Sequence, residues 1–334
     1  MPKWFLLLIL IISADLAVAR ERSIFKIETP VLAPLTWAVG DGDLIWTAEL
    51  CVASSNYNNT TFVSGSPMMI KRPYKIRVRD LKADLGYNFY LDNLATSVGN
   101  ARVKATFKYT DLKNGAATNQ ELLDDQYKPP DIIFAGEMHT GQYKSCLDGK
   151  NLRLDMTIDA LALTGARAGN YIGNFRLQGR GGTDGTKGQG KALRFGLDIA
   201  QSVQVSGLND IEFGQWDGLG PLSATESFCV FSNNNNAGYT VDIGTDHQIG
   251  DQHRMATSDN TTFINYNLTF DDSEAGAGTL VEEALPISGL GNNSATDCGS
   301  SNNANVTVTV AETDLREAET NEYDDVITLL IRPE

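Results

Sequence analysis

Two stretches far apart in the chain repeat one pattern, and that repeat constrains the fold more than any other feature. Cys146 stands as far ahead of Tyr171 as Cys298 does ahead of Tyr323. Between them Leu154, Met156 and Ile158 fall on Val306, Val308 and Val310, Leu163 on Leu315, and Phe175 and Leu177 on Ile327 and Leu329. The front halves match too: Phe25 and Ile27 precede Cys51 by the distances at which Val203 and Val205 precede Cys229. A self-similar chain of 334 residues reads as a tandem of related units, expected over 20–199 and 200–334. The register pairs Cys51 with Cys146 and Cys229 with Cys298. Each bridge would close a long loop, for which the chain-entropy model gives roughly 4–5 kcal/mol.

Both units read as all-β. Short alternating runs such as "YKIRVR", "VKATFKY", "LRLDMTI" and "INYNLTF" are separated by Gly, Asn, Asp and Ser clusters. No amphipathic helix stands out, although "TDLREAE" (313–319) has room for a turn or two. Short strands, units of this size and an internal disulfide in each predict two tandem Ig-like β-sandwich domains. Ahead of them, residues 1–19 carry Lys3, an apolar run from Trp4 to Ile12 and Ala17-Val18-Ala19. This is the pattern of a secretory signal, too short for a bilayer span of about 20 residues. Export suits four oxidised cysteines.

The two units differ at their ends. After "GNFRLQ" the first crosses a glycine-rich stretch, read as flexible, into "ALRFGLDIA". There Leu193, Phe195, Leu197 and Ile199 alternate with Arg194, Gly196 and Asp198, one more strand available to complete the first unit. The second ends on "EYDDVITLLIRPE", where Ile327, Leu329 and Ile331 alternate and nothing follows Glu334. It is expected to be one strand short, with an unpaired apolar edge.

The second unit resembles the pilin subunits of chaperone–usher pili, above all the archaic branch with spore-coat-protein-U-like domains. The resemblance rests on "VSGLNDIEFGQWDG", "FCVFSN", "INYNLTFDD", "DCGSSNNANVTVTVAETDL" and "EYDDVITLLIRPE". It implies that Ile327, Leu329 and Ile331 line an acceptor groove. A periplasmic chaperone, and then the N-terminal donor strand of the adjacent subunit, would fill that groove as the outer-membrane usher assembles the fibre. Ahead of the first strand, "SIFKIETPV", only Arg20, Glu21, Arg22 and Ser23 remain after the signal, too few for a donor. A subunit that accepts a strand without giving one is expected at a fibre end: a tip adhesin on the cell surface, its first domain binding and its second anchoring.

Charge divides the same way. From residue 200 onward 22 acidic residues face three arginines, a balance of −19, whereas 20–199 carries +4. Such asymmetry implies different partners for the two halves. If Tyr74, Ile76 and Val78 face inward, Lys75, Arg77 and Arg79 form an outward basic row, either a contact for anionic glycans or surfaces or simply a solvated sheet face. Just before it, Met68, Met69 and Ile70 lie between turn-forming residues. They read as an apolar loop tip for a host, glycan or abiotic surface, or as a plug of the sandwich end. The expected partners do not include nucleic acid.

Catalytic signatures are missing. No G-x-S-x-G elbow occurs, and the glycine-rich stretch does not match a phosphate loop. "DHQIGDQH" crowds Asp246, His247, Asp251 and His253 together but reads as a polar loop, and His139 stands alone. No catalytic residue, cofactor or metal is expected. A secreted coat or matrix protein that self-assembles through the open edge is the alternative to an adhesin.

Overall fold

Period-two alternation leaves each segment one apolar face to bury, and strands satisfy that only by stacking into layers. The protein, as a computed structural model, is described over residues 23–63, 66–71, 73–82, 88–95, 101–112, 119–123, 134–135, 149–181, 187–234, 236–272, 278–281, 286–319 and 322–334. The signal-like segment, Cys146 and His139 lie outside these residues.

The first strands are β1 (Ser23–Ile27), β2 (Leu35–Trp37), β3 (Leu44–Leu50), β4 (Val52–Val63), β5 (Ser66–Lys71), β6 (Pro73–Asp80), β7 (Phe89–Asn93), β8 (Arg102–Asp111), β9 (Gln120–Leu122), β10 (Phe134–Ala135) and β11 (Leu152–Ile158). Helix α1 (Ala160–Thr164), β12 (Gly169–Gly181), β13 (Lys187–Ile199), β14 (Val203–Ser206), β15 (Leu222–Ser232), β16 (Gly238–Thr245), β17 (His253–Ala256) and β18 (Phe263–Asp271) follow. The chain closes with β19 (Thr279–Leu280), β20 (Ile287–Leu290), β21 (Ala304–Val310), helix α2 (Glu312–Glu317) and β22 (Ile327–Pro333). The architecture is all-β.

Buried apolar side chains gather in two clusters, one from Phe25 to Ile199 and one from Phe228 to Val310. In the first, β3, β11, β8 and β7 lead through a short β7–β12 contact to β6, β12, β13 and β2. The aromatic rings show that these two runs face each other. Trp46 of β3 meets Phe195 of β13 edge-on at 4.9 Å, and Phe107 of β8 meets Phe175 of β12 at 5.2 Å. Edge-to-face rings fill a sandwich core while aligning their quadrupoles favourably. In the second cluster β14, β15, β21, β18 and β17 form one layer and β20, β16 and β22 the other. Tyr239 of β16 stands edge-on to Phe270 of β18.

The repeat is visible as structure. β11 and β21 have the same length and the same strict alternation of buried and half-buried residues. Each is followed by a short helix that carries Leu163 or Leu315. Helix α1 was not expected from its apolar "ALALT"; Asp159 caps it by accepting from the Leu161 N–H at 2.8 Å.

Three further differences from the sequence reading concern loops. The glycine-rich stretch read as flexible is mostly hairpin, since Gly179, Arg180 and Gly181 pair with Gln189, Gly188 and Lys187. Glycines 179 and 181 are required there because a Cβ at either would collide with the Phe25 ring. Met68, Met69 and Ile70 are not at a loop tip: they lie on β5, opposite Asn58, Tyr57 and Asn56 of β4. Pairing along β4 satisfies the backbone groups that a loop would leave to water; the side chains of 55–73 lie outside the description. The "DHQIGDQH" segment is a turn between β16 and β17, and its last residue, His253, is a buried strand residue.

Between the two clusters the chain crosses Ala200, Gln201 and Ser202, clamped by the buried Asn233. Its side chain donates to the Ala200 carbonyl at 2.9 Å and accepts from the Ser202 N–H at 2.8 Å. Its own carbonyl accepts from the Ala168 N–H at 2.7 Å.

Candidate strand-acceptor groove

Compare the two equivalent strands β12 and β22. β12 has neighbours on both edges, β6 and β7 on one and β13 on the other. β13 pairs along its whole length, and its Leu193, Phe195, Leu197 and Ile199 are at most 1 % exposed. Under that cover Tyr171, Phe175 and Leu177 of β12 are also at most 1 % exposed. β13 then meets β2 in parallel, Leu197 opposite Leu35 and Ile199 opposite Trp37.

β22 pairs along one edge only, with β16. Among the described residues no strand occupies its other edge. Ile327, Leu329 and Ile331 point at the second core yet remain only half-buried, as do Ile211 and Phe213 from the stretch that follows β14. That stretch takes the chain position of β2 but forms no strand. Its Trp216 repeats Trp37 in detail: each indole N–H donates to a glycine carbonyl a few residues on, Gly220 and Gly42. Ile211, Phe213, Ile327, Leu329 and Ile331 are thus half-buried apolar side chains packed on the second core, the last three on a strand with one edge unpaired among the described residues.

The strand is held firmly at both ends. Just before it, the Asp325 carboxylate, 3 % exposed, accepts from the Tyr266 hydroxyl at 2.7 Å and bonds the His247 Nδ1 at 2.9 Å. Burial first, then the hydrogen bond to Asp325 and the charge of that carboxylate, push the Tyr266 phenol far above its usual range. At the far end the Asn234 side-chain amide donates to the Glu334 carbonyl at 2.7 Å, and Arg332 pairs with Asp242. The Cys229–Cys298 disulfide closes the opposite layer, with Cα atoms 5.7 Å apart. Cys51 is also disulfide-bonded.

The histidine segment serves this anchoring. His247 bonds Asp325 and Asn260, His253 stacks on Tyr266, and the Arg254 guanidinium lies 4.2 Å from the Phe263 ring centre. Among the described residues no three His, Cys, Asp or Glu side chains are grouped to hold a metal ion.

The basic row occupies the other half. Tyr74, Ile76 and Val78 are buried, which turns Lys75, Arg77 and Arg79 outward. The register of β12 on β6 then sets Arg176 opposite Arg79, Gln178 opposite Arg77 and Arg180 opposite Lys75. Arg194 of β13 lies diagonally beyond, opposite Asn174. Sequence reasoning did not group these arginines with the row; the alternation of "GNFRLQGR" turned Arg176 outward, but only the register joined it to β6.

Similar folds occur among solved structures. One is a chain of the CsuC–CsuE chaperone–tip adhesion subunit pre-assembly complex from archaic Csu pili of Acinetobacter baumannii, with 12 % identity over 90 % of this chain and 99 % of that one and a TM-score of 0.43. CfaE, the adhesive subunit of CFA/I fimbria of enterotoxigenic Escherichia coli, has 9 % identity over 92 % and 94 % and a TM-score of 0.35. The CupB6 tip adhesin of Pseudomonas aeruginosa has 8 % identity over 93 % and 96 % and a TM-score of 0.37. No protein-family model and no curated protein matches the chain.

Proposed function

We propose that the protein is a non-enzymatic pilus subunit, the tip adhesin of a chaperone–usher fibre. In this reading 20–199 is the binding domain and 200–334 the anchor. The observation that carries it is the contrast between β12, sealed by β13, and β22, whose Ile327, Leu329 and Ile331 stay half-buried along an unpaired edge. An alternating apolar strand laid on that edge would hydrogen-bond to the free backbone of β22 and seat its side chains among those three and Ile211 and Phe213. A periplasmic chaperone supplies such a strand before assembly, and the neighbouring subunit's N-terminal donor strand replaces it in the fibre. The −19 balance of the anchor keeps it soluble and repels polyanions.

The test is co-expression with a periplasmic chaperone of the chaperone–usher type. A stoichiometric complex with β22 amides protected from hydrogen exchange is the expected outcome. Polymerisation of the purified chain alone, with no chaperone captured, would replace the adhesin by a self-assembling coat protein.

A further inference from the structure

Domains joined by a short segment move relative to one another unless something fixes the joint. Here only Ala200, Gln201 and Ser202 separate β13 from β14, and one buried residue takes up their backbone. Asn233, 1 % exposed, uses all its polar groups at this point. Its side-chain amide donates to the Ala200 carbonyl and accepts from the Ser202 N–H. Its own N–H donates to the Ser202 carbonyl at 3.2 Å, and its carbonyl accepts from the Ala168 N–H. Ala168 leads into β12, and the Ala200 N–H donates to the Trp37 carbonyl of β2 at 2.9 Å. The end of β15 therefore grips the first domain at two places.

The next residue grips β22. The Asn234 side chain, 3 % exposed, donates to the Gly238 carbonyl at 2.6 Å and to the Glu334 carbonyl at 2.7 Å. Its oxygen accepts from the Asn236 N–H at 3.1 Å. These bonds tie the end of β22 to the start of β16. The internal repeat sets Ser55 and Asn56 at the positions of Asn233 and Asn234, so the asparagine that faces the joint is the one the first unit lacks. Buried amides bonded on every side are costly to disturb.

We propose that Asn233 and Asn234 form a latch that couples the open strand β22 to the joint between the domains. A single peptide unit lies between the two side chains. Glu334 and Gly238 fix it on one side, and Ala168, Ala200 and Ser202 on the other. Slack at the end of β22 loosens the joint, and a strand seated along β22 stiffens it, because the two events share one ordering cost. The ligand in this inference rests on the acceptor role proposed for β22; the latch itself can be tested without any partner.

Hydrogen exchange of the Ala168, Ser202 and Asn233 amides in the full-length mature protein reads the joint. The probe is a synthetic peptide of residues 192–200, the β13 sequence that fills the equivalent place beside β12. Asn234→Ala removes no bond at the joint, yet should speed exchange there about tenfold, the loss of one or two buried hydrogen bonds. Asn234→Ser, which keeps one donor, should act in the same direction by a smaller factor. Peptide should slow the joint amides severalfold in the native sequence and leave them unmoved in Asn234→Ala. By reciprocity Asn233→Ala, which removes no bond to β22, should weaken peptide binding severalfold. Ile264→Ala, which truncates the second core at the end of β18 remote from the joint, should leave joint exchange within about twofold, since these amides exchange by local opening. Unchanged joint exchange in both Asn234 variants, or equal acceleration by Ile264→Ala, would overturn the latch. A peptide that protects β22 amides without slowing the joint would overturn it as well, with the acceptor role intact. If the peptide fails to bind, the acceptor role falls, whereas faster joint exchange in the Asn234 variants still supports the latch.

Discussion

Leu329→Ala probes the open edge of β22 most directly, because its cost should depend on whether a strand has been added. Leu177, its counterpart on β12, is fully buried beneath β13. Truncating a leucine in that setting costs about 2–5 kcal/mol, from lost transfer energy plus the cavity. Leu329 is only half-buried, so in the open state Leu329→Ala should cost about half as much, ~1–2 kcal/mol. Once a strand covers it, the full figure should apply. A donor-type peptide with alternating apolar residues should itself stabilise the second core by about 2.7 kcal/mol at a hundredfold excess over Kd. The variant should then bind that peptide roughly tenfold more weakly, the equivalent of the ~1–2 kcal/mol difference. Denaturant unfolding of the full chain with its disulfides intact, with and without peptide, measures all three quantities. Leu177→Ala serves as control and should cost the same in both conditions. If peptide leaves the unfolding midpoint of the second core unmoved, or if Leu329→Ala costs the same with and without it, β22 is not an acceptor strand.

The same substitution should act with opposite signs at two buried tyrosines. Tyr239 has a buried hydroxyl with no hydrogen-bond partner among the described residues, so Tyr239→Phe should raise stability by about 1 kcal/mol. Tyr266→Phe removes a donor from the buried Asp325 carboxylate and should lower it by about 1.5–3 kcal/mol; chemical denaturation separates the two. Burial raises the phenols of Tyr109, Tyr171, Tyr239 and Tyr266. Below about pH 10 they are neutral in both states and their contribution is complete. Above it the unfolded chain ionises first, and stability should fall by up to about 1.4 kcal/mol per pH unit for each group until the folded values are passed; replacing Tyr239 and Tyr266 by Phe should flatten this alkaline limb. Gly289 lies against the Tyr239 ring, so Gly289→Ala should cost about 1–3 kcal/mol through overpacking, read as a lowered melting temperature. Non-reducing mass spectrometry should recover Cys229–Cys298 and Cys51–Cys146 links, and reducing the former should cost about 4 kcal/mol for its 69-residue separation.

Much of this organisation was already present in the one-dimensional pattern. Alternation in "YKIRVR" and "ALRFGLDIA" decided which side chains of β6 and β13 turn inward, because neighbouring residues of a strand must point to opposite faces. Equal spacing of Cys146–Tyr171 and Cys298–Tyr323 placed β11 and β21 in matching positions. What alternation cannot carry is the identity of the neighbouring strand. Arg79 and Arg176 are far apart in sequence, and only the β6–β12 register sets them face to face. Asp325, His247 and Tyr266 come from a strand lead-in, a turn and β18, and only packing of the two layers gathers them. The β4–β5 pairing that sets Met69 opposite Tyr57 in register has turn-forming residues on both sides, so local propensity favoured a loop until pairing with β4 satisfied its backbone. Local sequence sets the face a side chain occupies; long-range backbone hydrogen bonds, which bind any residue type equally, set which side chain it meets there.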